Sequence, residues 1–214
     1  INSLIGQGCT STAWVCGLGI THQWIISGFP PQAQEDVWNE NSEAITYGSY
    51  GPVAEAKAVD GGWMISGSWP FAIGCDHGQW GLLGAQFRDT HANDALAPGF
   101  VLVPAVDYRI HDDWFTNGLA ATGSKSIVCE DVFVPSHRRL MFSDVMSGNS
   151  PGYQASGKPL YSIPMFAGIP TAITSPALGA LQGAIDAFIE TTSTKTTRGI
   201  QSGARAAGFA AVQS

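Results

Sequence analysis

Two short polar segments contain the residue types in this chain that could do chemistry. The first, residues 67–77, combines aromatic rings and glycines with an imidazole at His77. The second, residues 121–125, is a small turn with hydroxyls at Thr122 and Ser124. Each adjoins a strand-like run, so hydroxyls, amides and one imidazole would collect at strand ends beside aromatic rings. Such a surface fits a flat, partly polar ring ligand better than a phosphate chain or a metal.

The composition limits the kinds of partner that this chain can have. Of its 214 residues 44% are apolar, so a sizeable core can form. The formal net charge is -7 and there is no run of lysines or arginines, which argues against nucleic acid and against an anionic membrane surface. Only 13% of the residues are charged and 26 are glycines, which favours close packing against other subunits or missing parts of the chain.

The four cysteines predict no metal site, because none forms a C-x-x-C pair or a cluster with histidines. Free thiols in a reducing cytoplasm are the simplest interpretation. No apolar run reaches membrane-spanning length, so we expect no membrane segment. The chain begins at Ile1 and ends in an alanine-rich helical pattern without a stop signal, so we expect it to be a fragment of a longer protein.

The elements that must position these segments follow from the hydrophobic periods. Helical spacing of apolar residues predicts a helix over residues 10–27 with His22 on its apolar face, and Pro31 suits the first turn of a short helix through residue 38. Strands are predicted at 53–59, 63–69, 80–87, 100–103, 108–111 and 126–134, with loops at 88–98 and 148–159. Ser175-Pro176 is expected to cap a helix or mark a kink in one, and Gly179 lets another helix approach closely. Helices, an antiparallel-leaning sheet and further helices predict an α+β fold.

The order of elements and a set of motifs together resemble the flavin-dependent monooxygenase branch of the acyl-CoA dehydrogenase fold. The matching pieces are Gly8 to Trp14 with His22, Asp60 to Gly62, Gly67 to Trp69, Gly74 to His77, Asp112 to Trp114, Thr122 to Lys125, and Val132 to Pro135 with Arg138. The resemblance implies the end of an N-terminal helical domain at 1–43, a mostly antiparallel β-barrel or sheet domain at 44–140, and the start of a C-terminal helical bundle at 141–214. Ile73 stands where relatives often have serine.

The resemblance also implies a function. Such proteins are oxygenase components of two-component aromatic hydroxylases, which use reduced FMN or FAD, form a flavin C4a-hydroperoxide with O2 and hydroxylate a phenolic ring. A separate NAD(P)H-dependent flavin reductase is the expected partner, because residues 6–11 lack the strand and third glycine of a dinucleotide-binding motif. A cytoplasmic homotetramer without nucleic-acid or membrane partners is expected.

Residue roles carry over from the resemblance position by position. Ser124 would lie near the flavin N5 edge, and His77 would accept or orient a phenol proton. The proposed cofactor-binding residues are Trp69, Phe71, Ala72, Gly74, Thr122, Gly123, Ser124 and Ser49, and the proposed substrate-binding residues are His22, His77 and Trp114. The structural alternatives are an ordinary turn for residues 122–124, a histidine satisfied by Asp76 for His77, sheet core for the tryptophans, and a buried histidine with one hydrogen-bond partner for His22.

Two other functions remain open from the sequence. An acyl-CoA dehydrogenase would oxidise an acyl-CoA thioester with bound FAD and would need a carboxylate base; Glu190 is available, but nothing marks it for that role. A non-catalytic flavin-binding or assembly module is the second alternative.

Overall fold

The computed structural model describes residues 1–89, 95–196 and 203–208. Helices lie at both ends of the chain and a sheet lies between them, which confirms the α+β order. The helices are α1 (Asn2–Gly8), α2 (Thr10–Ile26), α3 (Pro31–Trp38), α4 (Phe142–Ser147), α5 (Pro151–Ser156) and α6 (Met165–Thr194). The strands are β1 (Thr46–Val59), β2 (Gly62–Trp69), β3 (Trp80–Asp89), β4 (Ala95–Pro104), β5 (Arg109–His111), β6 (Ser126–Pro135) and β7 (Arg139–Met141).

The sheet has seven strands in the order β5-β6-β2-β1-β3-β4-β7. All neighbours pair antiparallel except β1 and β3, which run parallel, so the sheet is mostly antiparallel as expected. The register between β1 and β3 shifts between Ser49 and Ala54. Such an irregularity bends a strand and re-aims its side chains. Residues 46–49 and 54–56 of β1 pair with β3, and residues 57–59 pair with β2.

Two apolar cores lie against this sheet. One is built from inward residues of β1, β2, β3, β4 and β6 around the fully buried Trp69. The other joins α2 and α3 to β3 and β4 through Ile25, Phe29, Leu82 and Phe100. The second core fixes α2 against the sheet, and it therefore sets which face of α2 looks towards β1.

Several boundaries differ from the sequence prediction. Strand β1 begins at Thr46 rather than at residue 53, because the glycines and tyrosines before Val53 lack a clean alternation yet pair with β3. The predicted loop 88–98 is shortened by β3 and β4, although residues 90–94 lie outside the described residues. The predicted loop 148–159 contains α5, which begins with Pro151 after a Ser150 cap.

Helix α6 is longer than its pattern suggested. It begins at Met165, and Pro170 and Pro176 lie inside it, so Ser175-Pro176 does not start the helix. By length and composition alone α6 could cross a membrane, which corrects the expectation that no segment reaches that length. That criterion is also met by core helices of soluble proteins. As expected, Gly179 permits a close helix contact: a Cβ there would stand 2.1 Å from the Ser3 carbonyl oxygen of α1.

Candidate functional site

The two polar segments adjoin each other, as their positions at strand ends predict. The Ala72 amide donates to the Lys125 carbonyl over 2.9 Å, and the Gly74 amide donates to the Thr122 carbonyl over 3.2 Å. The Lys125 ammonium lies 3.0 Å from a carboxylate oxygen of Asp76. The backbone bonds and this ion pair hold residues 72–76 and 122–125 as one unit beside β2 and β6.

Ser124 lies inside this unit rather than on its surface, with 4% of its area exposed. The Thr122 hydroxyl donates to the Leu119 carbonyl over 2.8 Å, so its single proton is already used. The Ser124 hydroxyl therefore donates to the Thr122 oxygen, 2.8 Å away, and only its lone pairs are left to accept a further bond. In this arrangement the two hydroxyls stabilise the turn.

His77 follows directly after residues 72–76 of this unit, and its side chain is exposed. Its backbone amide donates to the Gly74 carbonyl, while Asp76 pairs with Lys125, so the aspartate does not satisfy the imidazole as the structural alternative supposed. His77 was expected at the substrate and Ser124 at the flavin; in the described chain the His77 side chain faces solvent, the Ser124 side chain is packed in protein, and neither lines the cavity described next.

A cavity of about 270 Å³ lies between α2, the start of β1, residues 71–73 and α6. It brings together three of the predicted site residues, His22, Ser49 and Phe71, which are far apart in the sequence. Its lining residues are Leu18, His22, Gly48, Ser49, Tyr50, Phe71, Ile73, Ile169 and Ile173. His77, Ser124, Thr122, Trp69 and Trp114 are not among them.

His22 supplies the imidazole of this cavity. It is 2% exposed, and its Nδ1 lies 3.1 Å from the Thr46 carbonyl oxygen. Because a carbonyl only accepts, Nδ1 must carry the proton, and Nε2 is left as an acceptor. Burial lowers the pKa of His22 to about 4, despite the opposing effect of the Thr46 hydrogen bond, so the ring is neutral. His22 is therefore both a buried histidine with a backbone hydrogen-bond partner and a residue that lines a cavity.

Phe71 forms the outer wall of the cavity and is 65% exposed. Its φ of 60° lies in the left-handed region, which costs a non-glycine residue energy unless its neighbours impose it. The Ile73 amide donates to its carbonyl over 3.0 Å and helps to hold this conformation. The Trp114 ring meets the Phe71 ring edge-on, with centroids 6.1 Å apart. An aromatic face is thus held out towards solvent beside an apolar cavity.

Other predicted cofactor contacts lie beneath this face. Trp69 is fully buried, and its indole N–H donates to the Gly84 carbonyl over 2.6 Å, so it belongs to the sheet core and does not wall a ligand site. Ala72 is fully buried as well. Gly74 has a φ of 74°, and a Cβ there would stand 2.7 Å from the Tyr47 ring, so this position needs glycine for the fold of the segment. Gly123 also has a positive φ, at 53°, within the turn that carries Ser124.

The cavity includes residues that the sequence did not single out. Leu18 lies one helical turn before His22, so the helical face already predicted contained it. Tyr50 follows Ser49, and strict strand alternation would place only one of the two on this side; the irregular register of β1 brings both to the cavity. Ile169 and Ile173 share a face of α6, in the part of the helix that the pattern missed.

The donor set fits an organic ring and not a metal. Among residues 1–89, 95–196 and 203–208, no group of three or more His, Cys, Asp or Glu side chains could hold a metal ion. The cavity offers neutral polar groups, aliphatic side chains and one aromatic face, which is how proteins enclose flat organic ligands. Phe71, Ile73, Ser49, His22 and Leu18 all line this cavity.

Comparisons with known proteins agree with this chemistry, although no family model matches the chain. The chain is 44% identical over 217 residues, 99% of its length, to the oxygenase component of an FADH2-dependent resorcinol hydroxylase from Rhizobium sp. strain MTP-10005. The crystal structure of 3-HSA hydroxylase from Rhodococcus sp. RHA1 matches 100% of the chain at 34% identity, with a TM-score of 0.87.

A second solved structure was obtained with a flavin. XiaF from Streptomyces sp., in complex with FADH2 and glycerol, matches 94% of the chain and 50% of its own at 27% identity, with a TM-score of 0.80. The chain covers 52% of the resorcinol hydroxylase component and 52% of the 3-HSA hydroxylase structure. It therefore spans about half the length of the relatives it matches.

Proposed function

The chain belongs to the flavin-dependent monooxygenase branch of the acyl-CoA dehydrogenase fold, and from this premise we propose that the whole protein is the oxygenase component of a two-component aromatic hydroxylase. The observation that carries the proposal is the cavity of about 270 Å³, in which a neutral imidazole, apolar side chains and an outward-held aromatic face meet. A single aromatic ring with a hydroxyl group complements such a lining.

The cofactor is reduced flavin, supplied from outside the chain. When bound, it activates O2 so that one oxygen atom enters the aromatic ring and the other leaves as water. Phe71 and Ser49 hold the flat ring of the flavin. Ile73 contributes its side chain to the same face, while its backbone pairs with Gly48, so this position supplies apolar contact where relatives often have a hydroxyl. Reduced FAD is favoured over FMN, because the Rhizobium relative is named FADH2-dependent and XiaF was crystallised with FADH2.

His22 positions the substrate in this proposal. Its Nε2 accepts a hydrogen bond from the phenolic hydroxyl, which increases electron density on the ring that is to be hydroxylated. Because the pKa of His22 is lowered to about 4, the ring is neutral near pH 7 and Nε2 is available as an acceptor there. This role replaces the one expected for His77, whose side chain faces solvent.

Ser124 and Thr122 support the site indirectly, by stabilising a turn next to it. Their linked hydroxyls hold the turn against which residues 71–74 are bonded, and this turn keeps Phe71 in its outward position. Apolar walls from Leu18, Ile169 and Ile173 exclude water from the reacting atoms.

The partners follow from the same family. A separate NAD(P)H-dependent reductase supplies the reduced flavin, as the word "component" in the relatives' names supports. A cytoplasmic homotetramer is the proposed assembly. It is supported by the exposed apolar residues of α6, of which Leu178, Leu181, Phe188 and Ile189 are each more than half exposed in the isolated chain.

The competing acyl-CoA dehydrogenase activity needs a carboxylate base in the cavity, and none of its lining residues supplies one. Glu190, the carboxylate named above for this role, lies exposed towards the end of α6, well beyond Ile173.

The test uses the full-length oxygenase with a flavin reductase, NADH, FAD or FMN, and a panel of phenols. Formation of a dihydroxylated product with one O2 consumed per product supports the proposal. Bleaching of oxidised flavin by an acyl-CoA thioester, without phenol turnover, would instead identify a dehydrogenase. Flavin binding with neither reaction would identify a non-catalytic module.

A further inference from the structure

The elements around the cavity contain almost no charge. Helix α2 has no acidic or basic residue apart from His22, and the 44–54 stretch, which includes the start of β1, has none at all. Helix α6 carries no charged residue from Met165 until Asp186, which lies more than three turns beyond Ile173. No lysine, arginine, aspartate or glutamate therefore reaches the cavity from the three elements that enclose most of it.

The polar side chains that line the cavity are neutral. They are one imidazole, which can accept a hydrogen bond, and hydroxyl groups. His22 presents Nε2 as an acceptor, because Nδ1 is committed to the Thr46 carbonyl. Tyr50 borders the same cavity with its ring centroid 5.1 Å from that of His22, and its buried hydroxyl has no hydrogen-bond partner among the described residues. Burial raises the pKa of the Tyr50 hydroxyl, so it stays protonated and can donate.

A phenolic hydroxyl is the complement of this pair. It donates its proton to an acceptor such as Nε2, and its oxygen accepts from a donor such as the Tyr50 hydroxyl. A small rotation of the tyrosine would satisfy a group that is otherwise buried without a partner, which is a costly arrangement for a folded protein. A phenolate would leave Nε2 without a donor, so the protonated phenol fits better.

We infer that this site selects uncharged, single-ring phenols and rejects phenols that carry a carboxylate. Tyr50 and His22 form the hydrogen bonds to the phenolic hydroxyl. The inference rests on the proposed function and narrows its substrate class. A carboxylate placed in this cavity would lose its water without gaining a cationic partner from any described residue that lines it, which strongly disfavours binding.

The test compares two ligands of nearly the same size and shape that differ in charge. The full-length oxygenase, with reductase and flavin, is assayed at pH 7 on 4-hydroxyphenylacetate and on its uncharged amide, 4-hydroxyphenylacetamide, with resorcinol as the small neutral reference. We expect kcat/KM for the amide to exceed that for the acid by at least ~100-fold, because only the acid must bury an unpaired charge.

Three outcomes separate the inference from the function on which it rests. If none of the phenols is hydroxylated, the proposed function fails. If the acid is hydroxylated as well as the amide, the function stands and the charge selectivity is overturned. If acid and amide are both rejected while resorcinol is turned over, size rather than charge decides, and the inference is again overturned.

A cation placed in the cavity should reverse the preference. Ile169→Arg introduces a guanidinium beside the ring site and should raise the acid-to-amide ratio of kcat/KM by at least ~10-fold. Ile173→Lys, one turn later, provides a second variant if the first fails to fold. Phe166→Arg is the matched control, because Phe166 is 66% exposed on the same helix and does not line the cavity. An unchanged ratio in a folded Ile169→Arg or Ile173→Lys protein would contradict the inference.

The role of Tyr50 is tested separately, by measuring KM. Tyr50→Phe removes only the hydroxyl and should raise KM for uncharged phenols about tenfold, with little change in reduced-flavin affinity, since it removes one substrate hydrogen bond. If KM is unchanged, Tyr50 does not contact the substrate.

Discussion

At the scale of single residues, the clearest physical signal is the neutral imidazole of His22. Its side chain is held in an apolar region by one carbonyl and by edge-on contacts with the rings of Tyr47 and Tyr50. Burial lowers its pKa from 6.5 to about 4. A histidine in this environment can orient a hydroxyl group by accepting a hydrogen bond from it. Because the ring is neutral, it adds no charge to the site.

This depressed pKa makes stability depend on pH. Below pH 6.5 the unfolded chain takes up a proton at His22 that the folded chain refuses until about pH 4. The stability associated with His22 is therefore complete above pH 6.5 and falls as the pH drops towards 4, by about 3 kcal/mol in total. Urea unfolding of the wild type and of His22→Gln between pH 4 and 7 measures this loss, which should be much smaller in the variant.

The matched control is His77→Gln, because His77 is exposed. That variant should keep the wild-type fall in stability on the acid side. If His22→Gln and the wild type lost stability in parallel, the buried imidazole would not be neutral in the folded chain.

Phe71 gives a second residue-scale prediction, because its backbone is strained and its ring is exposed. Phe71→Gly should raise the free energy of unfolding by up to about 1 kcal/mol, since relief of the left-handed strain outweighs the added flexibility of the unfolded chain. The same change should weaken the binding of reduced flavin about tenfold, since it removes the aromatic wall. Phe71→Leu keeps the strain, so it should weaken flavin binding without any gain in stability. A Phe71→Gly protein with unchanged flavin affinity would remove Phe71 from the cofactor site.

At the scale of elements, the site depends on how closely the helices approach one another. Helix α1 lies against α6 where Gly6 and Gly179 face each other, with the Gly6 Cα 2.9 Å from where a Cβ of Gly179 would stand. This contact fixes α6 near its middle. The first half of α6, which contributes Ile169 and Ile173 to the cavity, is thereby held over β1.

Gly179→Ala should accordingly lower the free energy of unfolding by about 2 kcal/mol, because the new methyl group meets the backbone of Ser3 and cannot be accommodated by a side-chain movement. Gly8→Ala is the control, since a Cβ at that position meets nothing within 4 Å. Thermal or urea unfolding compares the two proteins. Equal stabilities would show that α1 and α6 do not pack as closely as described.

The element scale also shows why sequence reasoning reached the right parts of the site but not all of it. The face of α2 with Leu18 and His22 follows from helical spacing alone, and α3 follows from Pro31 as a first-turn residue. The start of β1 was missed because Thr46 to Gly51 shows no alternation, and the irregular register that admits both Ser49 and Tyr50 has no local signature. Ile169 was missed because the only signal noted near the start of this helix was Ser175-Pro176, as a cap or a kink, whereas the helix already begins at Met165.

Residue type alone also could not separate cavity-lining residues from core residues. Trp69 and Phe71 are two residues apart and both aromatic, yet one is fully buried and the other is largely exposed. The difference comes with the positive φ of Phe71, whose carbonyl accepts from the Ile73 amide, while the next residue, Ala72, is bonded to Lys125 of the 122–125 turn. In the same way, the hydroxyls of Thr122 and Ser124 satisfy each other, so their contribution to the turn could not be distinguished from cofactor binding before the partners were seen.

At the scale of the whole molecule, the apolar surface of α6 remains uncovered in the isolated chain. Leu178, Leu181, Ile185, Phe188 and Ile189 are exposed, and they repeat at intervals that place much of this surface along one side of the helix. An exposed apolar stripe of this kind is typical of an interface. The division of the chain at residues 43/44 and 140/141 stays a prediction, as does burial of this stripe between subunits.

Burial of the stripe can be tested by placing one charge within it. In the full-length protein, Leu181→Asp should reduce the measured mass from that of a tetramer to that of a smaller species, because an unpaired carboxylate would have to be desolvated in every copy of the interface. Light scattering coupled to size-exclusion chromatography measures the mass, and circular dichroism checks that the variant is folded. Thr191→Asp is the control, since it adds the same charge at an exposed polar position of the same helix. A folded Leu181→Asp protein with the wild-type mass would mean that this side of α6 is covered by another part of the same chain and not by a neighbouring subunit.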